Sequence, residues 1–200
     1  MRLLSLLSVV AVPLAVVLFG CGRSTQSGSS TPPDSIQQRV EQSIASLNEM
    51  RESLAATIDT PAVDKRTFKR VCKPVGMRAR QIGAANGWTV QQLAENYRNP
   101  AHKLDPEARR LYNEFASSPE LTERWIRTVH NQQEGWRYAR RITVQSSCLS
   151  CHGPKAQRPT FVKNGYPEDR AYGFEAGDLR GLYLVFVPKT PTDTSTTGPF

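Results

Sequence analysis

Two cysteines three positions apart with a histidine directly behind them, Cys148-Leu149-Ser150-Cys151-His152, constrain this 200-residue chain more than any other feature. The spacing is that of c-type haem attachment. Thiols so placed reach the two vinyl groups on one side of a porphyrin, and the adjacent imidazole comes up under the iron. One short segment thereby sets both the edge and the axis of the ring. A fold that obeys it has to leave a slot beside residues 148–152. Two alternatives stand against one covalent haem c. Half of a zinc site would need a second ligand pair, which is missing. A thiol redox pair would open a helix after a strand in thioredoxin fashion, which this segment does not.

The N-terminus states where such chemistry would take place. Arg2 precedes an apolar run from Leu3 to Phe19, broken by Ser5, Ser8 and Pro13, and the run ends in Leu18-Phe19-Gly20-Cys21. A positive start and an apolar middle describe an export signal. A small residue immediately before cysteine resembles the lipobox of bacterial lipoproteins, although Phe19 stands where a small residue is usual. Residues 1–20 are therefore expected to be a lipoprotein-type signal peptide, with Cys21 acylated; an uncleaved anchor and ordinary cleavage are the alternatives. Residues 21–34, mostly Gly, Ser, Thr and Pro, read as a flexible tether. Residues 189–200 read as a loose tail. The expected location is periplasmic or otherwise extracytoplasmic, on a membrane, where c-type attachment occurs.

Charge adds less. Lys and Arg number 26 against 18 Asp and Glu, a net charge of +8. A basic balance suits nucleic acid, an anionic membrane surface or an acidic cofactor. No aromatic interleaving or recognition motif supports nucleic acid. A single long apolar run excludes a polytopic membrane protein, and four cysteines are too few for a disulfide scaffold.

Hydrophobic period divides residues 35–188 into helices first and strands later. Ile36, Val40, Ile44, Leu47, Met50, Leu54 and Ile58 form a long amphipathic helix with Asp34 or Ser35 as cap and Pro61 as stop. Phe68, Cys72, Val75, Ala79 and Ile82 mark a second helix, which Pro74 can kink and Asn86-Gly87 can end; Cys72 then looks into the protein. The segment from Trp88 to Asn99 is ambiguous by period, and Asp105-Pro106 caps a short helix carrying Leu111 and Phe115. Alternation around Trp125 to His130, a polar break at Asn131–Gly135, and Trp136, Tyr138, Arg140, Ile142 and Val144 on one face predict a hairpin. Gly181–Val187 predicts a buried strand. The class is α+β with one modest sheet.

Several segments together resemble a known family. Phe68-Lys69-Arg70-Val71-Cys72-Lys73, Gly87-Trp88-Thr89-Val90, Arg98-Asn99-Pro100, the Cys148–Gly153 segment, Tyr166-Pro167, Gly173-Phe174, Gly177-Asp178 and Arg180-Gly181 are similar to the exported bacterial single-haem c-type domain with a PAS-like fold. That domain also occurs as the extracytoplasmic region of sensor histidine kinases. The resemblance covers about residues 36–188. It implies an antiparallel sheet of about five strands with flanking helices, the N-terminal helix across the sheet, and a strand over Val90–Arg98. It also implies a cysteine, here Cys72, as distal iron ligand opposite His152.

The residues bear on that ligand as well. With Cys21 assigned to lipid and Cys148 and Cys151 to porphyrin, Cys72 is an odd thiol in an oxidising compartment. Axial thiolate ligation gives it a partner; a small buried core residue is the alternative. Met77, His102 and His130 are the other candidates for the iron. Arg137, Arg140 and Arg141 are candidates to pair with propionates. Arg140 is preferred, with Tyr138 beside it on the cofactor side of the strand; a solvated strand face is the alternative. His/Cys ligation fills both axial positions and points to one-electron transfer or redox sensing through a partner protein rather than an enzyme, with small-gas (NO, CO or O2) sensing as the second reading.

Overall fold

The computed structural model describes residues 29–58 and 63–190. The expected export signal, Cys21 with most of the expected tether, Pro61 and nearly all of the tail lie outside the described residues. Helix α1 runs from Asp34 to Ala56. It starts where the helical period starts, but Asp34 acts as a first-turn charge and not as a cap: Pro33 occupies the cap position and its carbonyl accepts from Ile36 and Gln37. Helix α2, Lys65–Asn86, is capped by Asp64, whose carboxylate accepts from the Thr67 amide at 2.8 Å, and ends on Gly87 at φ 69°. The helix continues through Pro74. Its buried row is Thr67, Val71, Val75, Ala79 and Ile82. Cys72, one residue off that row, sits at its edge.

Four strands make the sheet, β1 (Thr89–Leu93), β2 (Glu123–His130), β3 (Gln133–Thr143) and β4 (Leu179–Pro188), all antiparallel in the order β1-β4-β3-β2. The α+β class is as expected; the number of strands is four among the described residues. Strand β1 stops at Leu93, short of the expected Arg98. Beyond it the Ala94 amide donates to the His102 carbonyl, and the chain leaves the sheet edge. The polar break in the hairpin is shorter than its composition suggests. Asn131 and Gln132 both take positive φ, 49° and 65°, the geometry of a two-residue turn whose twist matches the strands, and pairing resumes at Gln133.

Period-two alternation decides what each face of the sheet holds. Trp136, Tyr138, Ile142, Tyr183, Val185 and Val187 pack under α1 and α2, against Val40, Ile44, Leu47, Val75, Ala79 and Ile82. Ala139, Leu182 and Leu184 pack on the other face under α3 (Pro106–Ser117), against Ala108, Leu111 and Phe115. Both faces being covered explains the uninterrupted apolar run of β4. On the α3 side, Arg137 is 2% exposed and is held by Asp105 at 2.8 Å and Glu107 at 2.7 Å.

Gly135 is where β3 and β4 approach too closely for a side chain. A Cβ there would stand 2.2 Å from the Val187 carbonyl oxygen and 2.8 Å from the Phe186 ring. Gly135→Ala is expected to cost at least about 2 kcal/mol, read as a lower urea midpoint at unchanged slope.

Candidate functional site

At the end of the sheet, where α1, α2 and β4 diverge, the fold encloses a cavity of about 360 Å³, within the range of cofactor sites. Besides α1 and β4, three parts of the chain line it. Helix α2 supplies Phe68, Cys72, Val75 and Gly76; the β1 end and following turn supply Leu93, Tyr97, Arg98 and His102; the segment after β3 supplies Val144, Cys148, Cys151 and His152. Helix α4, Leu149–His152, is a single turn. It rests on a small apolar cluster of Val144, Ala171 and Phe174, with Cys148 and Leu149 packed against it. The spacing that marked the motif in sequence thus becomes one helical turn presenting two thiols and an imidazole to one cavity.

His152 is oriented by the backbone. Its Nδ1 lies 2.8 Å from the Ala171 carbonyl oxygen, which only accepts, and 3.3 Å from Arg98 Nη2, which only donates. That guanidinium nitrogen is already committed to the Cys151 carbonyl at 2.7 Å, so the shorter contact decides that Nδ1 carries the proton and Nε2 keeps its lone pair. Burial, then the positive charges of Arg180 and Arg98, hold its pKa well below the usual histidine value. A neutral imidazole with a free Nε2 is a ligand-competent group.

That depression has a consequence for stability. The unfolded chain takes up a proton on His152 below about pH 6.5 while the folded chain refuses it, so stability falls as pH drops through that value, by at most about 1.4 kcal/mol per unit for this residue. His102 has the same sign, lowered by burial and then by Arg180. Urea unfolding of haem-free protein at pH 7.0 and 5.5 should show the loss, and His152→Gln should reduce it.

Cys72 is exposed and is part of the cavity wall. Burial pushes its thiol up to about 11, with the neighbouring Cys151 adding to the rise. Burial raises Cys151 as well. Three thiols and one imidazole therefore share one chamber, and they are the four residues expected from sequence.

Other expectations end differently. Tyr138 is fully buried, donates to Glu123 at 2.7 Å and stacks on Trp125. Arg140 pairs with the same Glu123 at 3.3 Å. Neither is part of the cavity wall, because the face they share lies under α1 while the cavity begins only at Ile142. Arg137 and Arg141 point to the α3 side, on Asp105 and Glu107 and on backbone carbonyls respectively. Met77 is 44% exposed on the outside of α2, and His130 stacks on Phe186 beside the hairpin turn. Of the alternative iron ligands only His102 reaches the cavity.

Sequence reading passed over the groups that brace the site. Arg98 donates to the Cys151 carbonyl at 2.7 Å and pairs with Asp169 at 3.3 Å. Asp169, with a fully buried side chain, also binds Arg158 at 2.9 Å and accepts from the Ala171 amide at 3.0 Å. One carboxylate thus ties the motif helix to the carbonyl that orients His152. Arg180, which lines the cavity, donates to the Asn96 carbonyl at 3.0 Å and lies 5.3 Å over Phe174, with no carboxylate partner among the described residues. Burial, then Arg98, lowers its pKa to about 10. Arg98 and Arg180 lie in segments that carried the family resemblance, which was their only signal. Asp169 had none.

The residues fit the group that the motif implies: paired thiols, a free imidazole nitrogen, an apolar wall and a guanidinium without an acid. Among the described residues no three His, Cys, Asp or Glu side chains gather as a bare-ion site, which speaks against the zinc alternative.

Comparison with known proteins agrees with this architecture. A family model described as Tll0287-like matches residues 30–188. The chain belongs to the Tll0287-like family. The crystal structure of the cyanobacterial heme-protein Tll0287 superposes on it with a TM-score of 0.69 at 44% identity, covering 80% of this chain and 98% of the other. No curated protein matches the chain. The Tll0287-like assignment bears out the resemblance to a haem-domain family and the α+β fold drawn from sequence.

Proposed function

We propose that this Tll0287-like protein binds one haem c in the cavity, through thioethers at Cys148 and Cys151, with His152 Nε2 and the Cys72 thiolate as axial ligands. The observation that carries the proposal is the Nδ1 contact to the Ala171 carbonyl at 2.8 Å, which frees Nε2 in the chamber that holds all three thiols. The relative of known structure is itself a heme-protein. Haem, when bound, supplies reversible one-electron exchange at its iron. The chain's own residues do the rest. Ala171 and the Arg98–Asp169 pair hold the imidazole, and Phe68, Val71 and Val75 keep water from the distal side. Desolvation raises the Cys72 thiol, so a thiolate there requires a compensating positive charge, which favours the oxidised metal. Arg180 takes the propionate-pairing role expected of Arg140.

With both axial positions taken by protein, the protein is a one-electron carrier or redox sensor working with a partner, and not an enzyme. Export and acylation of Cys21 would tether it to a membrane in the periplasm or another extracytoplasmic space; Cys21→Ser should release it from the membrane fraction. Expression in a host with cytochrome c maturation tests the core of the proposal. The mature protein should be coloured, carry the porphyrin mass through acid-acetone extraction, and show a low-spin ferric spectrum. Colourless, unmodified protein overturns it. Inertness to CO and NO identifies the redox role, and binding of either gas to the reduced protein identifies a gas sensor.

A further inference from the structure

Helix α2 carries seven of the chain's 26 Lys and Arg and none of its 18 Asp and Glu, so the remainder of the protein is nearly neutral. Lys65, Arg66, Lys69, Arg70, Lys73 and Arg80 all stand exposed within about 140° of the helix circumference at 100° per residue. Arg66 has Asp64 at 3.8 Å and is 93% exposed; the other five have no ion pair among the described residues. Four of the six lie in the first two turns, and in the first of these, at Lys65 and Arg66, positive charge opposes the helix dipole and destabilises the helix. Folding alone gives no reason for that placement. The patch also adjoins the cavity: Lys73 and Arg80 are part of its wall, and Cys72 sits on the seam between the basic face and the buried row.

From this we propose that the outer face of α2 is the docking surface for a protein with an acidic surface, an electron-exchange partner that approaches the cavity from the Cys72 side. Charge complementarity selects the partner's sign and speeds its approach. Two observations favour a protein over an anionic bilayer. The face offers a single apolar side chain to enter lipid, Met77, set between Arg66 and Arg70 among the cations. The Arg39 bond to Asn86, 2.8 Å, puts the start of α1 at the far end of α2. The tether therefore joins the fold about 20–30 Å from the basic turns at 1.5 Å per residue.

This rests on the haem reading only for the electron; docking is measured separately. The probe is a plant-type [2Fe–2S] ferredoxin, an acidic one-electron protein. Binding of labelled oxidised ferredoxin to the mature protein is followed by anisotropy. In stopped flow one electron passes from the reduced cluster to the ferric iron, which becomes ferrous, with no bond or proton exchanged. The variant Lys65→Glu/Lys69→Glu/Arg70→Glu leaves the cavity wall untouched and puts charge of the favourable sign near the helix start. Arg110→Glu/Arg124→Glu/Lys163→Glu makes the same net change elsewhere. The α2 variant should lose at least 10-fold in affinity and rate at low salt, wild type should weaken steeply with salt, and the second variant should stay within about twofold. Equal losses in both variants, or salt-independent binding, overturn the proposal. So does α2-dependent binding to vesicles of phosphatidylglycerol and phosphatidylcholine without binding to ferredoxin. Anisotropy needs no haem, so a colourless protein that still binds overturns the haem reading alone.

Discussion

Replacing Cys72 by Ala should leave the porphyrin attached through Cys148 and Cys151 but open the position opposite His152. Two readouts follow. The ferric spectrum should shift toward high spin, because water or nothing replaces a strong anionic ligand. The reduction potential should rise by on the order of 0.1 V, a part of the roughly 0.8 V over which axial ligands set haem potentials. The direction follows from charge: an anionic thiolate favours the ferric state, and alanine removes it. Cys72→Met should retain six-coordination with a neutral sulfur and raise the potential further, while restoring the low-spin spectrum. Should Cys72→Ala leave spectrum and potential unchanged, the thiol is only a wall of the cavity. His102, which also lines the cavity, is then the residue to replace.

Asp169→Ala should produce the largest loss of stability of any single change near the site. Its side chain is fully buried between Arg98, 11% exposed, and Arg158, 14% exposed, and it also accepts from the Ala171 amide. Removing one member of a buried charge cluster leaves the others uncompensated, at a cost of about 3–5 kcal/mol. For a folded region of this size each kcal/mol lowers Tm by about 2–4 °C, so a fall on the order of 10 °C is expected. A second effect separates positioning from plain instability. With Arg98 and the Ala171 carbonyl released, His152 loses its fixed tautomer, and the spectrum of the mature protein should become heterogeneous at temperatures where it is still folded. Asp169→Asn, which keeps the amide contact while removing the charge, should be intermediate. A Tm within 2 °C of wild type for Asp169→Ala would refute the bracing role.

The difference between Arg140 and Arg180 shows how far residue patterns reach. Arg140 was attractive because it precedes the motif closely and shares a strand face with aromatics, and that face assignment is correct. Local alternation, however, says which side of a strand a residue takes, and not what covers that side. Here α1 covers it, Glu123 pairs with Arg140, and the cavity opens further along the strand. Arg180 enters the cavity because β1 ends at Leu93 and the chain then turns across the end of β4, a matter of strand pairing over nearly 90 residues of separation.

Sequence by itself determined most of what short-range geometry carries: the helices from their period with the Asp105 and Gly87 caps, the hairpin and buried strand from alternation, and the thiol-thiol-imidazole turn from a five-residue spacing. It also placed Cys72 on a helix, in the row facing the core, whereas the structure sets it at the edge of that row. Tertiary structure alone decided that this helix borders the cavity of the motif, that an Ala171 carbonyl orients His152, that Asp169 joins Arg98 to Arg158, and that Arg180 stands there without an acid. The physical reason is one of range. Periodicity and capping depend on neighbours within a turn or a strand, whereas the walls of a cavity depend on how separately formed elements bury their faces against one another.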